Sequence, residues 1–157
     1  MFGFNKSQKI FAAVDGTLMP ITEVSDEVFA QKMMGDGYGI EPSSKQVYAP
    51  LVSTVVSIFP TKHAIGLKTK KGLEVVVHLG FDTVELQGEP FNVLVKVGDQ
   101  VDETTCLAEM DLDLIKLRGK ASTVVVACTN VEVLKSLPKI PEEKVQHGNL
   151  IGQLTYQ

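Results

Sequence analysis

Short apolar runs punctuated by turn residues recur along the whole chain. They span 10–14, 39–40, 47–48, 54–59, 64–67, 73–79, 91–97, 106–110, 123–128 and 150–156. Asp15-Gly16, Gly35-Asp36-Gly37, Gly88-Glu89-Pro90 and Gly98-Asp99 separate several of them. Regular short strands between such signals predict an all-β fold, a sandwich or a barrel. Two stretches predict short helical turns. Residues 111–117 (DLDLIKL) open with acids and an Asp suited to an N-cap. Residues 130–136 (NVEVLKS) could add a turn or two, and the two prolines of 138–144 read as a loop. No linker or low-complexity segment divides the chain. Its 157 residues are therefore expected to form one domain over 1–157, with a short N-terminal tail at about 1–8.

One stretch, 61–80 (TKHAIGLKTKKGLEVVVHLG), holds two of the chain's three histidines. It reads as two strands joined by the polar Thr69-Lys70-Lys71-Gly72 turn. If Lys70 and Lys71 form a two-residue loop, His63 and His78 lie directly opposite, with Cβ atoms about 4.5–5.5 Å apart on one face. A slip of one residue would send one ring to the other face. On this register Val76 flanks His78, Thr61 and Ile65 flank His63, and Val75, Val77 and Leu79 point to the core. Phe59 also belongs near the histidines by pattern. A lone histidine on an apolar face is ordinarily structural. A facing pair is not, because each half-buried ring must find hydrogen-bond partners and a core gains nothing from carrying both.

Composition narrows the choices. Apolar residues make up 44%, charged residues 22%, and the formal net charge is −4. The acidic balance and the lack of a basic run argue against nucleic acid as a partner. No apolar run approaches the roughly 20 residues that span a bilayer, so no direct membrane insertion is expected. The N-terminus shows no secretory signal pattern, and the expectation is a cytoplasmic protein. Cys106 and Cys128 lie in strand-like stretches and read as buried free thiols.

Neutral imidazole is a competent nucleophile near pH 7, since its unperturbed pKa is about 6.5. One ring can attack phosphorus and become a phosphohistidine, while the second donates a hydrogen bond to the phosphoryl oxygens. Each ring needs its far nitrogen pinned, and the Thr61 hydroxyl is placed to serve His63. No cofactor is required, because orientation and local dipoles can carry such a transfer. Zinc held between His63 and His78 is the rival reading. A catalytic zinc wants three protein ligands, so a partner's carboxylate would have to complete it. His147 reads as a surface residue. No G-x-S-x-G motif supports a serine hydrolase, and Gly35-Asp36-Gly37 is not a phosphate loop.

Residues 72–84, GLEVVVHLGFDTV, resemble the phosphorylation-site signature of glucose-type enzyme IIA of the bacterial phosphoenolpyruvate:sugar phosphotransferase system. That signature is a glycine, two residues, three aliphatics, the active histidine, an apolar residue, glycine, then a threonine. Further matches are VSDEVFAQKMMGDGYGIEP (24–42), YAP (48–50), FPTKHAIG (59–66), VELQGEPF (84–91), VKVGDQV (95–101) and DLDLI (111–115). The resemblance implies an antiparallel β-sandwich and a phosphoryl relay. His78 would accept the group on Nε2 from the histidine-containing phosphocarrier protein HPr. It would pass it to a cysteine of a sugar-specific IIB domain of a membrane permease. His63 would stabilise the group in transfer, Thr61 would hydrogen-bond to His63, and the Gly80 carbonyl would orient the active ring. Asp26 and Asp82 match two carboxylates that meet basic residues of partners. Val28, Phe29, Met33, Met34, Phe59, Val76 and Val84 match an apolar docking patch. Regulatory targets that bind according to phosphorylation state are also implied.

Three departures from the family pattern, at Ser53, Glu103-Thr104-Thr105 and Ser122-Thr123, read as loop positions. A lipoyl or biotin carrier would need a modifiable lysine in AEMDLD (108–113), which has none. A zinc peptidase of related architecture would need an H-x-H pair. A purely regulatory binding module is compatible with the same residues.

Overall fold

The computed structural model describes residues 6–157. Its strands are β1 (Ser7–Phe11), β2 (Gly16–Pro20), β3 (Asp36–Pro42), β4 (Gln46–Tyr48), β5 (Ser53–Ile58), β6 (Ala64–Lys68), β7 (Glu74–Phe81), β8 (Phe91–Val93), β9 (Gln100–Val101), β10 (Cys106–Met110), β11 (Ala121–Cys128), β12 (Leu134–Ser136), β13 (Glu143–Val145) and β14 (Leu150–Tyr156). Eight of them form one sheet in the order β13-β2-β3-β11-β7-β6-β5-β9. Two three-stranded sheets, β1-β14-β12 and β4-β10-β8, pack across from it. Every pairing is antiparallel. The expected all-β sandwich is what forms.

The core lies between the layers. Val75, Val77 and Leu79 of β7 and Val124 and Val126 of β11 meet Ile10, Val47, Leu107 and Leu154 from the smaller sheets. Alternation along β7, buried at odd positions and half-open at Val76 and His78, follows from the pleat. A second, smaller cluster of Ile21, Val24, Phe29, Phe81, Val125 and Ala127 sits on the outer face of the same strands.

Helices are few and short. The expected one at 111–117 is α2 (Leu112–Leu117), capped by Asp111, whose carboxylate accepts from the Leu114 amide at 3.0 Å. The other, α1 (Glu27–Ala30), falls where no helix is expected, and its cap is Asp26, accepting from the Phe29 amide at 3.2 Å. One turn of helix is too short for an apolar period to show in sequence. The stretch 130–136 keeps only one of its expected helical turns. A 3-10 turn over Val131–Val133 leads into β12, which pairs with β14. Glu143 and Lys144, at the end of the expected loop, begin β13. Gly37 lies inside β3 rather than in a turn.

Part of the expected tail, residues 1–5, lies outside the described residues, and Ser7 and Gln8 already belong to β1. Two departures read as loop positions are strand residues. Ser53 opens β5 and is buried, its hydroxyl donating to the Leu51 carbonyl at 3.0 Å. Thr123 is buried in β11 and donates to Glu41 at 2.9 Å. Cys128 is buried and Cys106 half-buried, both as free thiols.

Candidate functional site

The hairpin of β6 and β7 has a three-residue loop, not the two-residue loop expected. The Thr69 amide donates to the Leu73 carbonyl at 2.9 Å, closing the loop around Lys70, Lys71 and Gly72, and Gly72 takes φ +94°. A glycine with positive φ at the end of such a loop is what this connection needs. The extra residue moves the register by one. Ala64, not His63, faces His78, and Ile65 pairs with Val77 in the core instead of lying on the histidine face.

The two rings nevertheless meet. His63 stands just before β6, after the turn out of β5 in which Lys62 has φ +59°. Strand alternation no longer dictates its direction there. Its carbonyl accepts from the Leu79 amide at 2.7 Å, which ties it to β7. The imidazole centroids are 5.1 Å apart, with planes at 78°.

Each ring is held at Nδ1. For His78 the partner is the Gly80 carbonyl at 2.7 Å. A carbonyl can only accept, so the proton sits on Nδ1 and Nε2 keeps its lone pair. For His63 the partner is the Thr61 hydroxyl. Gly80 is buried at φ +84°, and a Cβ there would stand 2.7 Å from the Ala121 carbonyl. Neither Nε2 has a protein hydrogen-bond partner among the described residues, and no buried side-chain polar atom is left unsatisfied. Both Nε2 atoms therefore open toward solvent.

Burial pushes the His78 pKa down from 6.5 to about 4, with the neighbouring His63 adding in the same direction. The Gly80 carbonyl and, more weakly, Asp26 and Asp82 oppose this. Burial lowers the His63 pKa as well. At neutral pH both rings are uncharged.

A cavity of about 340 Å³ adjoins the pair, and Ala64, Ala127 and Thr129 help line it. Phe29 packs edge-on to His78 at 4.9 Å and Phe59 edge-on to His63 at 5.3 Å. Val28, Met34, Phe59 and Val84 are exposed around the rim, Val76 is half-buried inside it, and Asp26 and Asp82 sit at its margin. Phe29 lines the cavity from its buried side. It is 6% exposed, part of the outer cluster with Phe81, and forms the wall of the His78 ring. Met33 is exposed but does not line the cavity. Sequence reasoning missed Ala64 and Ala127. Their small size, beside and across from the histidine strand, is the only signal, and it is visible only once the register is known. His147 is exposed, stacked on Tyr48 and paired with Asp15 at 2.8 Å, away from this site.

No group of three or more His, Cys, Asp or Glu side chains among the described residues is placed to hold a metal. The two imidazoles supply two ligands, so a zinc there needs an outside donor.

Comparison with known proteins is decisive for the family. The family model described as phosphoenolpyruvate-dependent sugar phosphotransferase system, EIIA 1, matches residues 8–134. The chain belongs to this EIIA family. A glucose-specific EIIA component of Halalkalibacterium halodurans is 40% identical over 158 residues, covering 94% of this chain and 91% of that protein. A glucose-specific EIICBA component of Streptococcus pneumoniae is 45% identical over 131 residues, covering 83% of this chain. This chain spans only 18% of that relative's length. Among solved structures, glucose permease IIA from Mycoplasma capricolum matches with a TM-score of 0.82 at 35% identity, covering 98% of this chain and 99% of that one. An EIIA protein is a phosphoryl carrier, and no helix among the described residues is long and apolar enough to cross a membrane.

Proposed function

We propose that His78 is the phosphoryl acceptor of this EIIA protein, taking the group from HPr and passing it to a cysteine of a sugar-specific IIB domain. The observation that carries the reading is the pair of imidazoles with each Nδ1 tied and each Nε2 open. In the first step the His78 Nε2–P bond forms as the P–N bond of phosphorylated HPr breaks. The proton stays on Nδ1, which donates to the Gly80 carbonyl, and that hydrogen bond eases the positive charge that develops on the ring. In the second step the Nε2–P bond breaks and a S–P bond forms.

His63 complements this. With the Thr61 hydroxyl donating to its Nδ1, the proton lies on Nε2, where it can donate to a phosphoryl oxygen. One ring is thus a nucleophile and the other a donor, by opposite tautomers. The low pKa of His78 keeps the nucleophile unprotonated at neutral pH. The apolar rim of Val28, Met34, Phe59 and Val84, with Val76 half-buried inside it, supports docking of a protein over the histidines, with Asp26 and Asp82 meeting basic groups of that partner. The fused EIICBA relatives support a IIB partner. The whole chain, 1–157, then acts as one carrier domain.

Incubation with enzyme I, HPr and phosphoenolpyruvate, followed by mass measurement, tests the reading. One phosphoryl group should be added, it should be lost in acid, and His78→Gln should not carry it. An acid-stable adduct, or labelling that survives in His78→Gln, overturns the assignment.

A further inference from the structure

The turn that follows His78 is governed by one buried side chain. Thr83 is 0% exposed, and its hydroxyl donates to the Leu79 carbonyl at 2.6 Å. Its methyl closes on the next residue, since a Cβ at Gly80 would stand 2.5 Å from Thr83 Cγ2. Leu79 is tied at its other end too, where its amide donates to the His63 carbonyl at 2.7 Å. Leu79 is the one residue between His78 and Gly80, between the ring and the carbonyl that its Nδ1 meets. Both of its peptide groups are therefore fixed, one by His63 and one by Thr83.

The Gly80 carbonyl needs such support. Gly80 at φ +84° and Asp82 at φ +60° lie in left-handed backbone, and a glycine has broad freedom there. A hydrogen bond weakens steeply once its donor and acceptor fall out of line. If the carbonyl swings from the ring plane, nothing keeps the proton on Nδ1, and an imidazole with its proton on Nε2 has no lone pair to offer phosphorus.

We propose that Thr83 is the positioning residue that sets the tautomer of His78, aiming the Gly80 carbonyl at Nδ1 by anchoring Leu79 and packing on Gly80. This deepens the acceptor reading above and rests on it for its kinetic half alone. A purely structural Thr83 would satisfy a buried carbonyl at the head of the 83–86 turn and change stability without touching the ring.

The test compares Thr83→Val, which keeps the volume and removes the donor, with Thr83→Ser, which keeps the donor. The His78 ring nitrogens are observed by long-range ¹H–¹⁵N correlation at pH 7.5, and phosphoryl acceptance from HPr is timed in parallel. The native protein and Thr83→Ser should show the Nδ1–H signature. Thr83→Val should move toward Nε2–H and accept roughly fivefold more slowly, as the competent ring population falls to about one fifth. An unchanged tautomer in Thr83→Val overturns the proposal, as does a Thr83→Ser ring as displaced as that of Thr83→Val. If Thr83→Val does not fold, Thr83→Cys carries the test with its weak S–H donor, an intermediate tautomer ratio supporting the role and a native ratio overturning it. Should the native protein take no phosphoryl group while Thr83→Val still shifts the ring, the acceptor reading fails and the positioning role stands. Normal acceptance by the native protein with native ring signals in Thr83→Val sinks the positioning role alone.

Discussion

On one face of β7, Val75, Val77 and Leu79 are at most 1% exposed and share the main core with Val124 and Val126 of β11. On the other face Val76 and His78 are half-buried, and Val125 and Ala127 close a small separate cluster with Phe29 and Phe81. The same two strands build both surfaces, from much the same aliphatic residues. What differs is the cover. The inner face meets two further sheets, which fill the space between them with branched side chains. The outer face is roofed only by the short segment around α1, and small residues at Ala64 and Ala127 leave the cavity beside the rings. That hollow is open and rimmed by the exposed apolar side chains of Val28, Met34, Phe59 and Val84, whereas the inner face is closed.

Substitutions on the two faces should therefore separate activity from stability. The largest effect is expected from His78→Gln, which should abolish phosphoryl acceptance while leaving the folded spectrum intact. Unfolding by this substitution would place His78 with the core. Next comes His63→Gln. Acceptance at His78 should persist, but onward transfer to a IIB domain should fall by about 10²–10³, the usual loss for one preorganised donor. An unchanged rate of onward transfer would make His63 structural only.

Leu67→Ala, on the inner face, should reverse the pattern. Leu67 is 1% exposed in the main core. Its truncation should cost about 2–5 kcal/mol in denaturant unfolding, with normal phosphoryl acceptance by the molecules that remain folded. Loss of acceptance at full stability would erase the distinction between the faces.

A pH titration sharpens it further. The His78 pKa is about 4 in the folded protein against about 6.5 unfolded. Between these values the unfolded chain binds more protons, so stability rises with pH across the window. The contribution is fully present above about pH 6.5 and is lost as pH falls toward 4. His63 acts in the same direction. His78→Gln should flatten the thermal stability curve between pH 4 and 6.5, and a curve parallel to the native one would contradict the buried, neutral ring.

The smallest effects are expected in and around the cavity. Val76→Asp should weaken HPr binding throughout the salt range, because a carboxylate facing an apolar partner is left without its water. Asp82→Asn should chiefly change association rate and salt dependence. Titration of HPr at two salt concentrations checks the order. A larger loss from Asp82→Asn at high salt would place the acids, not the apolar rim, at the centre of the contact.

The all-β architecture, the punctuation of most strands, the Asp111 cap and the closeness of the two imidazoles were all legible in the chain. Period-2 patterning and turn residues are local signals, and a sandwich is made of local signals repeated. Within 130–136 only the first half makes the expected turn, because the pattern is short and β12 is a strand only by pairing with β14. β2 and β13 exist for the same reason, each as a partner to a neighbour.

By itself the sequence determined that two imidazoles share one hairpin with Thr61 and Gly80 beside them, because these groups are close along the chain. Which residue faces His78 was decided by the conformation of a single loop. One glycine with positive φ turned a two-residue connection into three and put Ala64 opposite His78. That His63 still reaches the ring was decided outside the strand, by the turn at Lys62 and the bond from the Leu79 amide. The burial of Phe29 against His78 was decided by a helix of one turn packing on a sheet distant in sequence. Pairing registers and side-chain contacts depend on closure between distant segments, and no pattern within a segment carries that information.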